Sequence, residues 1–457
     1  MAAWYVTSAI EALVAGGDET ALIHRDRLIS HRELLDDVYR AARVLAGRGL
    51  RRGDGLVLVA GNVPAAFVIR FAAFLLGLRF TPVVDAEPAV LAHIVADSEA
   101  ALVVEGGLEL AGVSAEPMVV RAREEDVARI LYTGGTTGLP KGVPATYAEL
   151  GASVRSWEEA AVPVPPGVRF VLATPFAHGS GDAALGMLRA GAVVQLLEEF
   201  SPVAFAEAVQ AGPVAVSYLY PSWLYRVLAT GAELGSLVFL SYGSAPIAPR
   251  RLVEAIARLG TNLVQTYATT EAPAIAMLGP DDHAAIAAGD TGLARSVGKP
   301  LPGVEIDIRD RRGEVGEVWV RSASVMSGYW RRPDLTGEVL REGWLRTGDL
   351  GRVDANGYLY LVGRSRDIII VDGHNHYAKP LEDALTSQDG VRDAAVVGVP
   401  DDRTGEAVHA FVVGVVPVRL PVAMTVHVVG ALPLTALGKV DKRRLRERAL
   451  VGQLPLP

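Results

Sequence analysis

From about residue 55 onward, near-continuous apolar, β-rich runs alternate with short helical segments, and this rhythm constrains the fold more than any other feature. Runs at residues 55–60, 101–104, 170–174, 193–197, 214–220, 237–242 and 262–267 read as strands. Segments 64–78, 202–210, 222–229 and 249–259 read as the helices between them. A strand apolar on both sides must be covered on both faces, which implies an α/β fold of layered, mostly parallel sheets with helices. After about residue 290 the pattern changes to short strands and tight turns at 303–309, 316–321 and 351–362, a smaller β-rich subdomain over about 290–362. Residues 367–450 read as α+β and end in a basic helix, 441–449, whose charges are expected to form a solvated face. With 457 residues the chain is too long for one core. We expect a large N-terminal domain over 1–363 and a small C-terminal α+β domain over 364–457.

Composition enters by exclusion. The 44 Lys and Arg against 52 Asp and Glu leave a mildly acidic chain, which argues against general binding to nucleic acid or anionic membranes. Zero cysteines remove disulfides, thiolate metal sites and cysteine nucleophiles together. No basic segment precedes an apolar run at the N-terminus, so no secretory signal is expected. The most apolar stretch, 67–78, is interrupted by Arg70 and is too short to span a bilayer. A cytoplasmic protein is the expectation.

The strongest local signal is Tyr132-Thr133-Gly134-Gly135-Thr136-Thr137-Gly138-Leu139-Pro140-Lys141-Gly142, which follows an apolar run. Glycines let the backbone wrap an anion, the hydroxyls of Thr133, Thr136 and Thr137 add donors, and Lys141 adds charge. The order Pro-Lys-Gly differs from a Walker A loop, in which Ser or Thr follows the lysine and opens a helix. The alternative is a Gly/Thr-rich surface turn, but the length of the match favours a phosphate loop. In this segment the chain resembles the adenylate-forming superfamily of acyl- and aryl-CoA synthetases, luciferases and nonribosomal-peptide adenylation domains. The resemblance covers nearly the whole chain and continues in order. It runs through Tyr267-Ala268-Thr269-Thr270-Glu271, then Gly316-Glu317-Val318 to Gly328-Tyr329, then Trp344-Leu345-Arg346-Thr347-Gly348-Asp349. It ends with Gly363-Arg364-Ser365-Arg366-Asp367 and Pro433-Leu434-Thr435-Ala436-Leu437-Gly438-Lys439-Val440-Asp441.

The resemblance implies attack by a carboxylate on the α-phosphate of ATP with loss of pyrophosphate. Such a reaction needs fixed cations and donors where charge builds. By the same resemblance Lys439 bridges the carboxylate and the α-phosphate, Glu271 ligates Mg²⁺, and Thr270 bonds the α-phosphate. Asp349 accepts from the ribose hydroxyls and Arg364 adds a contact there. Tyr267, with Gly243-Ser244-Ala245-Pro246, holds the adenine. The C-terminal domain is expected to be mobile, rotating about Arg366 between two half-reactions. Gly373 matches the glycine beside a thiol tunnel, with Asp372 in place of the glycine often found before it. Asn375-His376-Tyr377 is similar to fatty-acyl-AMP ligases.

His178, after Thr174-Pro175-Phe176, fits a Pro-x-x-His segment flanking the acyl pocket. Relatives acting on α-amino acids carry an aspartate where this chain has Ala177. Ala268 narrows the pocket by a methyl group, and Phe176, Tyr218 and Trp223 are candidate lining. An aromatic or medium-sized apolar acid is the expected substrate. CoA is the expected acceptor, with a free amine or a carrier-protein thiol as alternatives. Asp182 is either a base for an amine or, on the plainer reading, a helix N-cap.

Overall fold

Proline sets the start of helix after helix in the large lobe. Pro64–Leu76, Pro88–Asp97, Pro202–Gln210, Pro221–Ala229, Pro249–Leu259 and Pro280–Ala287 all open on it. There its fixed φ suits the first turn and its missing N–H costs no intrahelical bond. In this computed structural model residues 2–133, 139–160, 167–212, 214–401, 403–435 and 439–451 are described.

The strands between these helices form two sheets. Ala100–Glu105, Gly55–Val59, Arg79–Val83 and Val127–Thr133 run parallel, and Lys141–Thr146 closes that sheet antiparallel. A second, nine-stranded sheet has a parallel centre in the order Leu263–Tyr267, Leu237–Gly243, Ala215–Leu219, Arg169–Leu172, Val193–Leu196, Thr20–His24. Antiparallel strands flank it on both sides. The predicted α/β layering holds, with strand ends displaced by one or two residues. The N-terminal elements Trp4–Gly16, Thr20–His24, Arg27–Ser30 and His31–Gly47 lie ahead of the rhythm that revealed the rest.

The apolar stretch around Phe67 is a core helix. Every residue of Pro64–Leu76 from Ala66 onward is buried, and one apolar cluster joins side chains of both sheets through it. Among the described residues no helix is long and apolar enough to cross a membrane. Arg70, 1% exposed, is retained in this helix because Asp182 pairs with it from the helix Gly179–Arg189. Its guanidinium also lies over the rings of Phe74 and Phe176, 5.2 Å from each centroid.

The β-rich part is an antiparallel sheet of Glu305–Arg312, Val315–Arg321, Trp344–Val353, Leu340–Arg341 and Leu359–Arg364. Segment 351–362 is therefore no single strand. It breaks at a turn in which Asp354 Oδ1 accepts from the backbone N–H of Asn356 and Tyr358, each at 2.9 Å. A 3₁₀ turn, Ser365–Asp367, leads into the C-terminal sheet. That sheet comprises Ile368–Val371, His374–Tyr377, Gly405–Gly414, Val391–Asp401 and Thr425–Val429, with helices Ala378–Thr386 and Lys442–Val451.

This lobe rests on the large one through polar contacts. Lys379 Nζ donates to Ile247 O at 3.1 Å, Arg295 pairs with Asp383 at 3.1 Å, and Arg250 pairs with Asp389 at 3.0 Å. Among the described residues no apolar cluster includes side chains from both lobes.

Candidate active site

Parallel strands present their carboxyl ends to one crevice, where ligands of α/β proteins bind. Strand Leu237–Gly243 delivers Ser244 there, and strand Leu263–Tyr267 delivers Tyr267. Gly243 is required by close approach, since a Cβ on it would sit 2.4 Å from Thr266 Oγ1 and 2.5 Å from Thr266 O. Ser244 takes a left-handed conformation at φ 65°, uncommon for serine, and its hydroxyl lies 2.8 Å from that of Tyr218. Ala245 is half-buried and Ala268 exposed beside them.

The buried Tyr267 donates its hydroxyl to Asp349 Oδ2 at 2.6 Å, and Arg364 Nε donates to Asp349 Oδ1 at 3.0 Å. The Arg364 contact follows from strand pairing, because Asp349 and Arg364 are opposite each other across Trp344–Val353 and Leu359–Arg364, whereas Tyr267 arrives from the nine-stranded sheet. Burial, then the Asp349 carboxylate, push the Tyr267 phenol well above its ordinary range, so it stays a donor. Asp349 is 6% exposed and its own N–H is held by Thr347 Oγ1 at 3.1 Å.

The phosphate loop connects two antiparallel strands and opens no helix. Thr133 and Lys141 face each other across the ladder. Gly134, Gly135, Thr136, Thr137 and Gly138 lie outside the described residues, while both flanks are firmly held. His93 Nε2 is 2.8 Å from Pro140 O, and Trp330 N–H donates to Gly142 O at 2.9 Å. The buried Thr133 hydroxyl has no hydrogen-bond partner among the described residues, an orphan that a phosphate oxygen would satisfy.

Lys141 Nζ sits 3.7 Å from Glu271 Oε1 and 3.7 Å from the centroid of the Tyr329 ring. Tyr329 in turn donates to Glu271 Oε1 at 2.8 Å. Burial lowers the Lys141 pKa, and Glu271 opposes that shift. Thr270 is half-buried in the same turn. Tyr329 was visible in the sequence as part of a Gly-Tyr run, but its partner stands 58 positions away and no local pattern could pair them.

Lys439 reaches this crevice from the C-terminal lobe. Its charge feels Arg364, Asp349, Glu271 and Arg366, and its pKa is lowered first by burial and then by Arg364. Arg366, in the 3₁₀ turn, is likewise lowered by burial and then by Arg364. Four cations, Lys141, Arg364, Arg366 and Lys439, thus surround the carboxylates of Glu271 and Asp349. His178 faces them as a neutral imidazole, its pKa pushed down to about 4 by burial, then by Lys439 and Arg129.

Three pocket expectations change. Phe176 is 1% exposed and turns its ring into the core against Phe67, centroids 4.6 Å apart. Trp223 stacks on Phe200 at 4.0 Å and packs against a core cluster. Asp182 is neither an N-cap nor a base. His178 occupies the N-cap position of helix Gly179–Arg189, and Asp182 bridges Arg70 and Arg129. Burial alone would raise its pKa, but Arg129 and then Arg70 outweigh that and hold the carboxylate ionised. Gly373 is exposed at a hairpin tip.

Residues 11–330 match the model of the AMP-binding enzyme family, and residues 380–439 match that of the AMP-binding enzyme C-terminal domain. The chain belongs to the AMP-binding enzymes. Among its curated relatives, a feruloyl-CoA synthase of Amycolatopsis sp is 32% identical, covering 94% of this chain and 96% of the relative. Among solved structures, the amide bond synthetase McbA from Marinactinospora thermotolerans is 33% identical at a TM-score of 0.83, covering 97% of this chain and 99% of that one. ATP-bound MatB from Rhodopseudomonas palustris is 27% identical at a TM-score of 0.86, covering 98% of this chain and 99% of that one. This AMP-binding enzyme is therefore similar over nearly its whole chain both to a relative named for a CoA product and to one named for an amide bond.

Proposed function

We propose that this AMP-binding enzyme activates an organic carboxylic acid as its acyl-AMP and passes the acyl group to CoA. The observation that carries the reading is the convergence of Lys141, Arg364, Arg366 and Lys439 on the crevice of Glu271 and Asp349, four cations suited to a triphosphate. A carboxylate oxygen of the acid attacks the α-phosphorus, the bond to the β-phosphate oxygen breaks, and pyrophosphate leaves with both electrons. No proton moves. Lys439 spans the attacking carboxylate and the α-phosphate, neutralising the two anions as they meet, and Thr270 donates to the α-phosphate. Lys141, Thr133 and the loop from Gly134 to Gly138 hold the outer phosphates. Asp349 and Arg364 hold the ribose, while Tyr267 and Gly243 to Ala245 flank the adenine.

Among the described residues no three His, Asp or Glu side chains converge as a metal site. Glu271, a hard carboxylate beside Lys141 in the crevice, would hold a magnesium ion, which when bound would supply positive charge against the phosphates.

The acid pocket is proposed beside His178, Ala268 and Tyr218. Asp182 is committed to Arg70 and Arg129, and Ala177 stands where relatives acting on α-amino acids carry an aspartate, which favours an aromatic or medium apolar acid over an α-amino acid. In the second step the acceptor attacks the acyl carbon, AMP departs, and the acceptor proton is lost. We place the rotation that admits the acceptor at Arg366, with Gly373 beside the incoming thiol. The match to the amide bond synthetase supports an amine as second acceptor. The test is pyrophosphate release across a panel of acids, with CoA and simple amines supplied separately. Release of phosphate in place of pyrophosphate would refute adenylation, and amide without thioester would assign the amine.

A further inference from the structure

The loop that carries His178 is not held by its own sheet alone. Asn62 belongs to the turn between strand Gly55–Val59 of the five-stranded sheet and the buried helix Pro64–Leu76, and is 3% exposed. Its Nδ2 lies 3.3 Å from Leu172 O, 3.2 Å from Thr174 O and 2.9 Å from Leu197 O. Its Oδ1 accepts from Phe176 N–H at 2.8 Å. One amide thus ties together the ends of two adjacent parallel strands and the midpoint of the loop that follows, where backbone groups would otherwise be buried without partners. Two residues on, His178 N–H returns to Pro175 O at 3.2 Å, and Thr174 Oγ1 donates to Ser180 Oγ at 2.6 Å. The loop is fixed on both sides of Phe176, and the amide that fixes it comes from the other sheet.

We propose that Asn62 is a positioning residue for the acid pocket, setting the place of His178 through the backbone of Phe176. The proposal rests on the reading that His178 lines that pocket. The nucleotide contacts, Thr133, Lys141, Tyr267, Asp349 and Arg364, hang on other strands and loops, so the effect falls on the acid alone.

The experiment measures pyrophosphate release by the full-length protein with a saturating acid from the panel, for wild type, Asn62→Ala, His178→Ala and the double variant. Circular dichroism melting checks folding, and Asn62→Ser serves as the milder variant should Asn62→Ala fail to fold. Losing one buried hydrogen-bonded anchor is expected to raise the KM for the acid by about tenfold, with the KM for ATP within about twofold. In the His178→Ala background the same change adds almost nothing, because the side chain being positioned is gone. Equal rises in both KM values, or full additivity in the double variant, would overturn the positioning role. If His178→Ala leaves the acid KM untouched while Asn62→Ala raises it, the pocket assignment of His178 falls, and with it the route proposed for Asn62.

Discussion

Lys439 is needed charged, yet burial and the nearby Arg364 make its charge easier to lose than that of a free lysine. Activity dependent on its ammonium is present below its folded pKa and lost as pH rises through it. The alkaline limb of pyrophosphate release should therefore lie below the pH at which free lysine titrates. Lys439→Ala should lower adenylation by on the order of 10²- to 10³-fold while ATP still binds. Lys439→Arg, where it supports turnover, should move the alkaline limb upward, and an unmoved limb would assign it elsewhere. His178 gives the opposite sign. Its folded pKa of about 4 lies below the ordinary 6.5, so the unfolded chain takes up a proton first, and stability is lost as pH falls between those values. His178→Gln should flatten the fall in melting temperature over that window relative to wild type. At this scale the sequence disclosed residues that sit within a dense motif, such as Glu271 and Lys439. It concealed Asn62 and the pairing of Tyr329 with Glu271, since the partners of both residues lie far away along the chain.

Elements were legible where chemistry punctuates them. Proline at the first turn marked helix after helix to within a residue, and the strand ends followed from the apolar runs. The break inside 351–362 carried a signal too, since Asp354-Ala355-Asn356-Gly357 is turn chemistry that the apolar residues on either side obscure. The N-terminal hairpin gave less, because its two strands are only five and four residues long and bury just Ala21, Leu22 and Ile29. The hairpin at Asp372 and Gly373 shows why an element must be considered before a residue is mutated. Val371 pairs with His374, and Asp372 and Gly373 have φ of 49° and 76°, a two-residue turn with both positions left-handed. Gly373→Ala should cost about 1 kcal/mol of stability from backbone strain alone, and Gly373→Asn less. Gly373→Asn therefore adds bulk with little strain, and is expected to slow thioester formation from preformed acyl-AMP while pyrophosphate release persists. Unchanged transfer by this variant would remove Gly373 from the thiol path.

At the scale of the whole molecule, the lobe that brings Lys439 to the crevice is held there by Lys379, Asp383 and Asp389 against Ile247 O, Arg295 and Arg250. The exposed pair of Arg250 with Asp389 contributes little by itself, whereas Asp383 is buried and shared between Arg295 and Lys379. Arg295→Ala and Arg250→Ala should each slow adenylation about two- to fivefold, and leave transfer from preformed acyl-AMP unchanged. A matching loss in both steps would mean that these contacts support the fold and not the orientation. This particular docking was not legible in the sequence, because Lys379, Arg295 and Arg250 meet partners far away along the chain.

Because among the described residues no apolar cluster includes side chains from both lobes, undocking exposes little hydrocarbon to water. The equilibrium between docked and undocked forms should then carry a small heat-capacity change. Its population would vary little with temperature through hydration, and would respond mainly to ionic strength, which screens Arg250 and Asp389 at the rim. A protein arranged this way keeps its working posture through warming and cooling, and loosens it in brine.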